Sequence, residues 1–338
     1  MKLVTFAIPC YNSQGYMDKC IQSLLPGGED VEIIIVNDGS TDGTAEIAER
    51  YAAEYPDIVK VVHQENGGHG WAVNTGLAHA TGKYFKVVDS DDWVDEDAYM
   101  EVLATLQKFV EDGQEVDMLL TNYVYEKVSE NKRRRMIYSL LFESGKIMTW
   151  SEMKRNIKGF SILMHSVTYR TEMLRQCQLK LPKHTFYVDN VFVYEPLPYV
   201  KTLYYLNVDF YRYYIGRDGQ SVAEQTMIKR LDQQLYVNRR LLDAYDVWEI
   251  EEVHLREYML SFLETITVVS TSLAYISNDP ENIAKVKDLW KYIKEKDIRT
   301  YHHLRWGVLG NAMNLPGRFG RYLSKKAYQV SQKFMGFN

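Results

Sequence analysis

The residues best suited to chemistry concentrate in one stretch, Tyr84-Phe85-Lys86-Val87-Val88-Asp89-Ser90-Asp91-Asp92. Val87 and Val88 suit a strand buried on both faces, and such a strand cannot also bury Asp89, Asp91 and Asp92 unpaired. The carboxylates must therefore lie at its C-terminal end, where open α/β sheets place their ligands. If strand geometry persists, Asp89 and Asp91 point the same way. Two convergent carboxylates suit Mg2+ or Mn2+, above all when a diphosphate supplies further oxygens. An acidic surface turn from Asp91 to Asp97, capping the next helix, is the plainer alternative. A separate carboxylate, Asp189, stands among aromatics in Phe186-Tyr187-Val188-Asp189-Asn190-Val191-Phe192. Partial burial would raise its pKa or give it a defined partner, as a general base requires; a helix N-cap is the alternative.

The elements that would position these groups alternate strand and helix through the first third. Leu3 to Ile8 reads as a strand interrupted by Pro9 and the polar Tyr11-Asn12-Ser13. A helix with Met17, Cys20, Ile21, Leu24 and Leu25 on one side follows, stopped by Pro26-Gly27-Gly28. Val31 to Val36 is a second strand, and Thr41 or Asp42 can cap the helix from Thr44 towards Tyr55. Ile58 to Val62 is a third, followed by Asn66-Gly67-Gly68-His69-Gly70 and a helix through Ala80. Short loops between alternating elements imply right-handed crossovers and a mostly parallel sheet. Tyr11-Asn12, Asp38, Asn66 and Asp89-Asp91 then end four strands at one edge and converge on one crevice. The glycine loop is neither a dinucleotide fingerprint nor a P-loop; it allows close backbone approach to a ligand or forms a plain turn.

Further on, residues 96–112 read as a helix, Asp117 to Val124 as a strand and Lys132-Arg133-Arg134-Arg135 as a solvated loop. Met148 to Tyr169 returns to the sheet or its edge. Residues 225–298 read as two or three helices. The tail from Tyr301 has six Lys and Arg and no Asp or Glu. Its residues 316–338 suit a basic amphipathic helix on anionic lipid; docking on the acidic domain or on a second subunit in a homodimer is the alternative. The expected division is an α/β domain over 1–222, a helical subdomain over 223–300 and the tail over 301–338.

Composition sets the class. The chain has 338 residues, 46% apolar and 25% charged, as a soluble globular protein does. Its net charge of −5 divides into −15 over residues 1–125 (22 acidic, 7 basic) and +10 over 126–338 (23 acidic, 33 basic). A cation site in the acidic half and an anionic partner for the basic half is one explanation; mutual neutralisation is the other. Three cysteines without metal-ligand spacing, and no apparent signal peptide, point to a reducing cytoplasm. The longest apolar run, Tyr258 to Ile276, contains Glu264, so a membrane span is not expected. No nucleic-acid partner is expected.

Collected in order, Ile8-Pro9-Cys10-Tyr11-Asn12, Val36-Asn37-Asp38-Gly39-Ser40-Thr41-Asp42-Gly43-Thr44 and Asp89-Ser90-Asp91-Asp92 resemble the family 2 glycosyltransferases. The resemblance covers residues 3–125 strongly and 160–222 more weakly. It implies a nucleotide-diphospho-sugar transferase fold, a mostly parallel twisted sheet flanked by helices, with a C-terminal helical extension. It further implies that Asp38 receives the nucleotide base and that Pro9, Tyr11 and Asn12 line the same pocket. Asn66, Gly68, Asn74 and Ser90 belong to the donor-binding set. Asp89 and Asp91 hold the ribose side and a divalent metal, Mn2+ or Mg2+, with Asp91 the closer ligand. Arg212 and Ser221 resemble late elements near the diphosphate. The catalytic Glu-Asp-x-x-Phe element of the family matches Val188-Asp189-Asn190-Val191-Phe192, so Asp189 carries over as base and the Glu does not. The implied activity is inverting, metal-dependent transfer from a nucleoside-diphosphate sugar, UDP-linked, to a hydroxyl of a saccharide or lipid-linked acceptor. The setting is surface polysaccharide synthesis, in the cytoplasm or at the inner face of the membrane. A binding-only protein on the same fold and a sugar nucleotidyltransferase are the alternatives.

Overall fold

A computed structural model describes residues 2–216 and 224–313, and their packing separates two units. The first comprises the chain to Lys154 with Ile162–Ile215; the second comprises Arg155–Ser161 and the chain from Gly216. The boundary thus falls some residues before the expected 222, and a short excursion from the first half joins the helical unit. Ser221 and residues 316–338 lie outside the described residues.

The first unit runs β1 (Val4–Cys10), α1 (Met17–Leu24), β2 (Val31–Asp38), α2 (Thr44–Glu54), β3 (Val59–Gln64), α3 (His69–His79), β4 (Tyr84–Val87), β5 (Trp93–Val94), α4 (Glu96–Glu111), β6 (Met118–Lys127), β7 (Lys132–Met136), β8 (Ile147–Met148), β9 (Val167–Arg170), α5 (Thr171–Gln176), α6 (Asp189–Tyr194) and β10 (Leu203–Tyr214). β1 and β2 are buried along their whole length, which is why their sequences are continuous apolar runs rather than alternating ones. α1 buries Met17, Cys20, Ile21 and Leu24, the i, i+3, i+4, i+7 stripe of a helix lying on a sheet. α3 packs so close that a Cβ on Gly76 would stand 2.6 Å from the Ala7 Cβ, so only glycine fits there.

The sheet order is β3-β2-β1-β4-β9-β6-β10-β5, with β7 paired to β6 and β8 to β10. β1 pairs parallel with β2 and β4, β2 with β3, and β6 with β10. The first four strands therefore bring their C-terminal ends to one edge, as the βα alternation implies. The second half departs from the expected mostly parallel sheet. β9 lies between β4 and β6 and runs antiparallel to both. It thereby delivers the residues that precede it to the edge where its neighbours end. The basic run 132–135, expected as a loop, is strand β7 against β6, with its side chains exposed to water.

The second unit holds α7 (Glu224–Lys229), α8 (Leu231–Ala244), α9 (Val253–Ser277), α10 (Pro280–Lys296), α11 (Ile298–Trp306) and α12 (Val308–Met313). α9 is long and apolar enough to cross a bilayer by length and composition, but most of that apolar stretch is buried within the protein. Its buried Glu264 ion-pairs with Lys158 and accepts from the backbone N–H groups of Leu309 and Gly310. Residues 301–313 are thus part of the helical unit rather than a separate tail.

Candidate active site

The loops after β1, β2 and β3 are laced together by side chains that the sequence singled out. Asn12 has φ +51°, and its Oδ1 accepts from the Thr41 N–H at 2.9 Å while its own N–H donates to Ser40 Oγ at 3.0 Å. Asp38, only 2% exposed, accepts from the N–H groups of Gly67 (2.9 Å) and Gly68 (2.7 Å) and from Gln64 Nε2 (2.6 Å). Asn66 Nδ2 donates to the Asp38 carbonyl at 2.8 Å. In this structure Asp38 is therefore the strut of the glycine loop. Pro9 is buried in β1, whereas Tyr11 stands exposed beside it.

The acidic edge lies beside these loops. The Ser90 hydroxyl, buried, pairs with Ser13 Oγ at 2.9 Å. His69, the first residue of α3, donates from Nε2 to Asp89 Oδ1 at 2.7 Å. Burial opposes the imidazolium of His69, but the charge and hydrogen bond of Asp89, with Asp189 and Asp91 beyond, outweigh it and hold its pKa above the ordinary value. Burial likewise opposes ionisation of Asp89, yet His69 and the more distant His165 and Lys86 bring its pKa below normal. Asp92 is 1% exposed; its Oδ2 accepts from the Tyr211 hydroxyl at 2.6 Å and its Oδ1 from the Tyr214 N–H at 2.8 Å. Burial, together with the charges of Asp91 and Asp89, pushes Asp92 well above the carboxylate range. One ring nitrogen of His165 and one oxygen each of Asp89 and Asp92 lie within 4.8 Å of one another. Two carboxylates and an imidazole at that spacing fit a divalent cation.

Asp189 opens α6, and its Oδ1 accepts from Asn190 Nδ2 at 3.3 Å. Burial raises its pKa and the Asp89 charge adds to this, while His69 pulls the other way; the net shift is upward. The segment leading to it is held against α3. Asn74 Nδ2 donates to the Leu181 carbonyl at 2.8 Å and Asn74 Oδ1 accepts from the Leu181 N–H at 2.9 Å. The His184 N–H donates to the Gly67 carbonyl at 2.7 Å, and a Cβ on Gly68 would come within 3.0 Å of His184 N. His184 and Tyr187 both have positive φ (49° and 66°), unusual for such residues and seen where surroundings over-determine the backbone. Val188, where the family resemblance has Glu, is buried, with its Cγ2 at 3.1 Å from where a Gly70 Cβ would stand.

The structure thus brings Asn12, Asp38, Asn66, Gly68, Asp89 and Ser90 into one set of connected loops, with Asp189 electrostatically coupled to it. Asn74, expected as a donor contact, uses both polar atoms of its amide to clamp Leu181. Arg212 departs in the same way: its guanidinium is taken by Asp95 (2.7 Å) and Glu126 (3.0 Å), bracing β6 and the N-cap of α4. The expected pair Asp89 and Asp91 shares the edge with Asp92, which the sequence grouped with them, and with His165 and Tyr211, which the sequence reading did not select. His69 was visible inside the glycine loop; no pattern marked His165.

The family described as Glycosyl transferase family 2 matches residues 5–174. EpsH of Bacillus subtilis (strain 168), a glycosyltransferase by name, is 26% identical over 282 residues, 81% of this chain and 76% of its own. YibD of Escherichia coli (strain K12), also named a glycosyltransferase, is 30% identical over 231 residues, covering 67% of this chain and 65% of its own. The crystal structure of S. aureus TarS residues 1–349 in complex with UDP-GlcNAc superposes with a TM-score of 0.70 at 20% identity, over 98% of this chain and 92% of that one. The mannosyltransferase PcManGT from Pyrobaculum calidifontis, solved with GDP-Man and Mn2+, superposes with a TM-score of 0.56 at 15% identity, over 98% and 86%. The fold is that of the nucleotide-diphospho-sugar transferases.

Proposed function

The chain belongs to glycosyl transferase family 2, and from that premise we propose that it is an inverting transferase using a UDP-linked sugar. It passes the sugar to a hydroxyl of a saccharide or lipid-linked acceptor in surface polysaccharide synthesis. The observation that carries this reading is Asp189, a carboxylate with a raised pKa, coupled to the acidic edge and held by a segment clamped to the glycine loop. Support for the donor class comes from the UDP-GlcNAc in the TarS structure. Support for the acceptor class comes from GgaB of Bacillus subtilis (strain 168), named a minor teichoic acid biosynthesis protein, 35% identical over 33% of this chain and 12% of its own.

In this reading the loops at Pro9–Asn12, Asp38 and Asn66–Gly68 enclose the nucleoside, and Asp89 takes the ribose side. Asp89 and Asp91 would hold a divalent cation at the edge, and such an ion would supply neutralisation of the donor's diphosphate charge. Asp189 accepts the proton of the acceptor hydroxyl as that oxygen attacks the anomeric carbon from the face opposite the diphosphate. The new glycosidic C–O bond forms as the bond to the diphosphate breaks, and the nucleoside diphosphate leaves with the bonding electrons. Nucleoside diphosphate release, measured over a panel of sugar nucleotides with Mn2+ or Mg2+ and several acceptors, should exceed background for a UDP-sugar. No release with any donor overturns the reading and favours a binding-only protein. A lipid-linked acceptor would set the work at the inner face of the membrane. Full-length protein should then co-sediment with anionic liposomes, and protein lacking residues 316–338 should not.

A further inference from the structure

We propose that His63 is a positioning residue for the donor's nucleoside: acting through Asn37, it fixes the turn after β2 that holds the loop after β1. The contacts form a continuous chain. Glu49 Oε1 meets His63 Nε2 at 2.7 Å, His63 Nδ1 meets Asn37 Nδ2 at 2.9 Å, and Asn37 Oδ1 accepts from the Ser40 N–H at 3.1 Å. Ser40 Oγ then accepts from the Asn12 N–H at 3.0 Å, and Asn12 Oδ1 from the Thr41 N–H at 2.9 Å. Asn37 and His63 are partners in the parallel β2–β3 ladder, so the register itself brings the ring to the amide. Neither belongs to the donor contacts that the family resemblance implies.

The direction of each contact follows from what its atoms can do. An amide nitrogen only donates and a carboxylate only accepts. The ring therefore accepts at Nδ1 and donates at Nε2, the tautomer that its two partners select. With its nitrogen spent on His63, the Asn37 amide presents its oxygen to the Ser40 N–H. An asparagine amide without such a partner can turn over, and the reversed form would set an NH2 group against that N–H, donor against donor. Asn37 is 6% exposed, so water is a poor substitute for the lost acceptor. The ring is thus a selector between two orientations of one amide. Its pair with Glu49 is open to solvent, the side chains 46% and 60% exposed, and adds little beyond holding the ring. The turn so fixed is central to the loops around it. Asn66 Nδ2 holds the Asp38 carbonyl within it, and Asn12, which leans on Ser40, keeps a positive φ that its surroundings must maintain.

The proposal rests on the reading that these loops enclose the nucleoside, so one of its readouts needs no donor. In full-length protein, UDP affinity with Mn2+ present is measured by isothermal titration, and hydrogen exchange of the Ser40 backbone amide is measured without nucleotide. His63→Asn places an acceptor oxygen where Nδ1 stands; it should bind UDP within about twofold of wild type and keep the Ser40 amide protected. His63→Gln carries its amide out to the Nε2 position, and His63→Phe keeps only a ring. Both should weaken UDP about fivefold, the worth of one hydrogen bond, and speed Ser40 exchange by about as much. In steady state these two should raise donor KM about fivefold with kcat within about twofold, a split that general loss of structure would not produce. Wild-type UDP affinity in His63→Phe, or equal losses in His63→Asn and His63→Gln, overturns the proposal. If His63→Phe fails to fold, the contrast between His63→Asn and His63→Gln decides alone. If the wild type binds no UDP, the functional reading falls and Ser40 exchange still tests the chain of contacts. UDP-sugar transfer with a donor KM indifferent to His63 would sink this proposal and leave the functional reading standing.

Discussion

The two ends of the parallel strands treat buried carboxylates in opposite ways. At the N-terminal end of β2, Glu32 is fully enclosed and saturated. It accepts from Thr5 Oγ1 at 2.6 Å and from the Thr81 N–H at 2.8 Å, and it ion-pairs with Lys60. Burial opposes its charge, but Lys60 and the threonine hydrogen bonds outweigh burial and leave its pKa lowered. At the other end, Asp92 is driven upward by burial and by its acidic neighbours, Asp189 is raised, and His165 keeps an unpartnered nitrogen. One end has its charges matched within the protein. The other crowds Asp89, Asp91 and Asp92 together and raises Asp92 and Asp189, the perturbed carboxylates that mark a functional site.

This contrast can be broken in four places. Asp189→Asn should lower transfer by about a thousandfold, the range of a lost general base, with donor affinity changed by less than about twofold in isothermal titration. Parallel loss of donor binding and turnover would move Asp189 from base to ligand. Glu32→Gln should instead cost about 2 kcal/mol in denaturant unfolding at neutral pH and leave transfer per folded molecule intact. The sign with pH follows from the lowered pKa. The contribution of Glu32 is complete above the unfolded value of about 4.3 and fades as pH falls through the still lower folded value. Wild type and Glu32→Gln should therefore converge in stability in acid; a gap constant with pH would show that Glu32 acts by packing alone.

Asn74→Ala removes both hydrogen bonds to Leu181 and should loosen the segment carrying Asp189. The expected result is a roughly tenfold fall in kcat with little change in donor KM, the pattern of a positioning residue. A rise in donor KM with unchanged kcat would restore Asn74 to the donor contacts. The smallest effect concerns acidity. Because Asp189 must be ionised to accept a proton and its pKa is raised, kcat should fall on the acid side with a midpoint above the usual carboxylate value. His69→Gln, which removes a charge that pulls Asp189 down, should move that midpoint higher; a shift to lower pH would contradict the coupling.

What the amino-acid order determined by itself was local. Continuous apolar runs set β1 to β4, the i, i+3, i+4 stripes set α1 and α4, and polar residues after each strand marked the edge that carries Asp38 and Asp89. These signals lie within a few residues of one another, so periodicity and turn chemistry suffice to read them. Tertiary structure decided the rest, because the decisive partners are far apart in the chain. Tyr211 meets Asp92 across 119 positions and Asn74 meets Leu181 across 107. Above all, β9 runs against its neighbours. Reversing one strand carries His165, in the turn just before that strand, to the edge where the others bring their ends, and no local pattern encodes a strand's direction within a sheet.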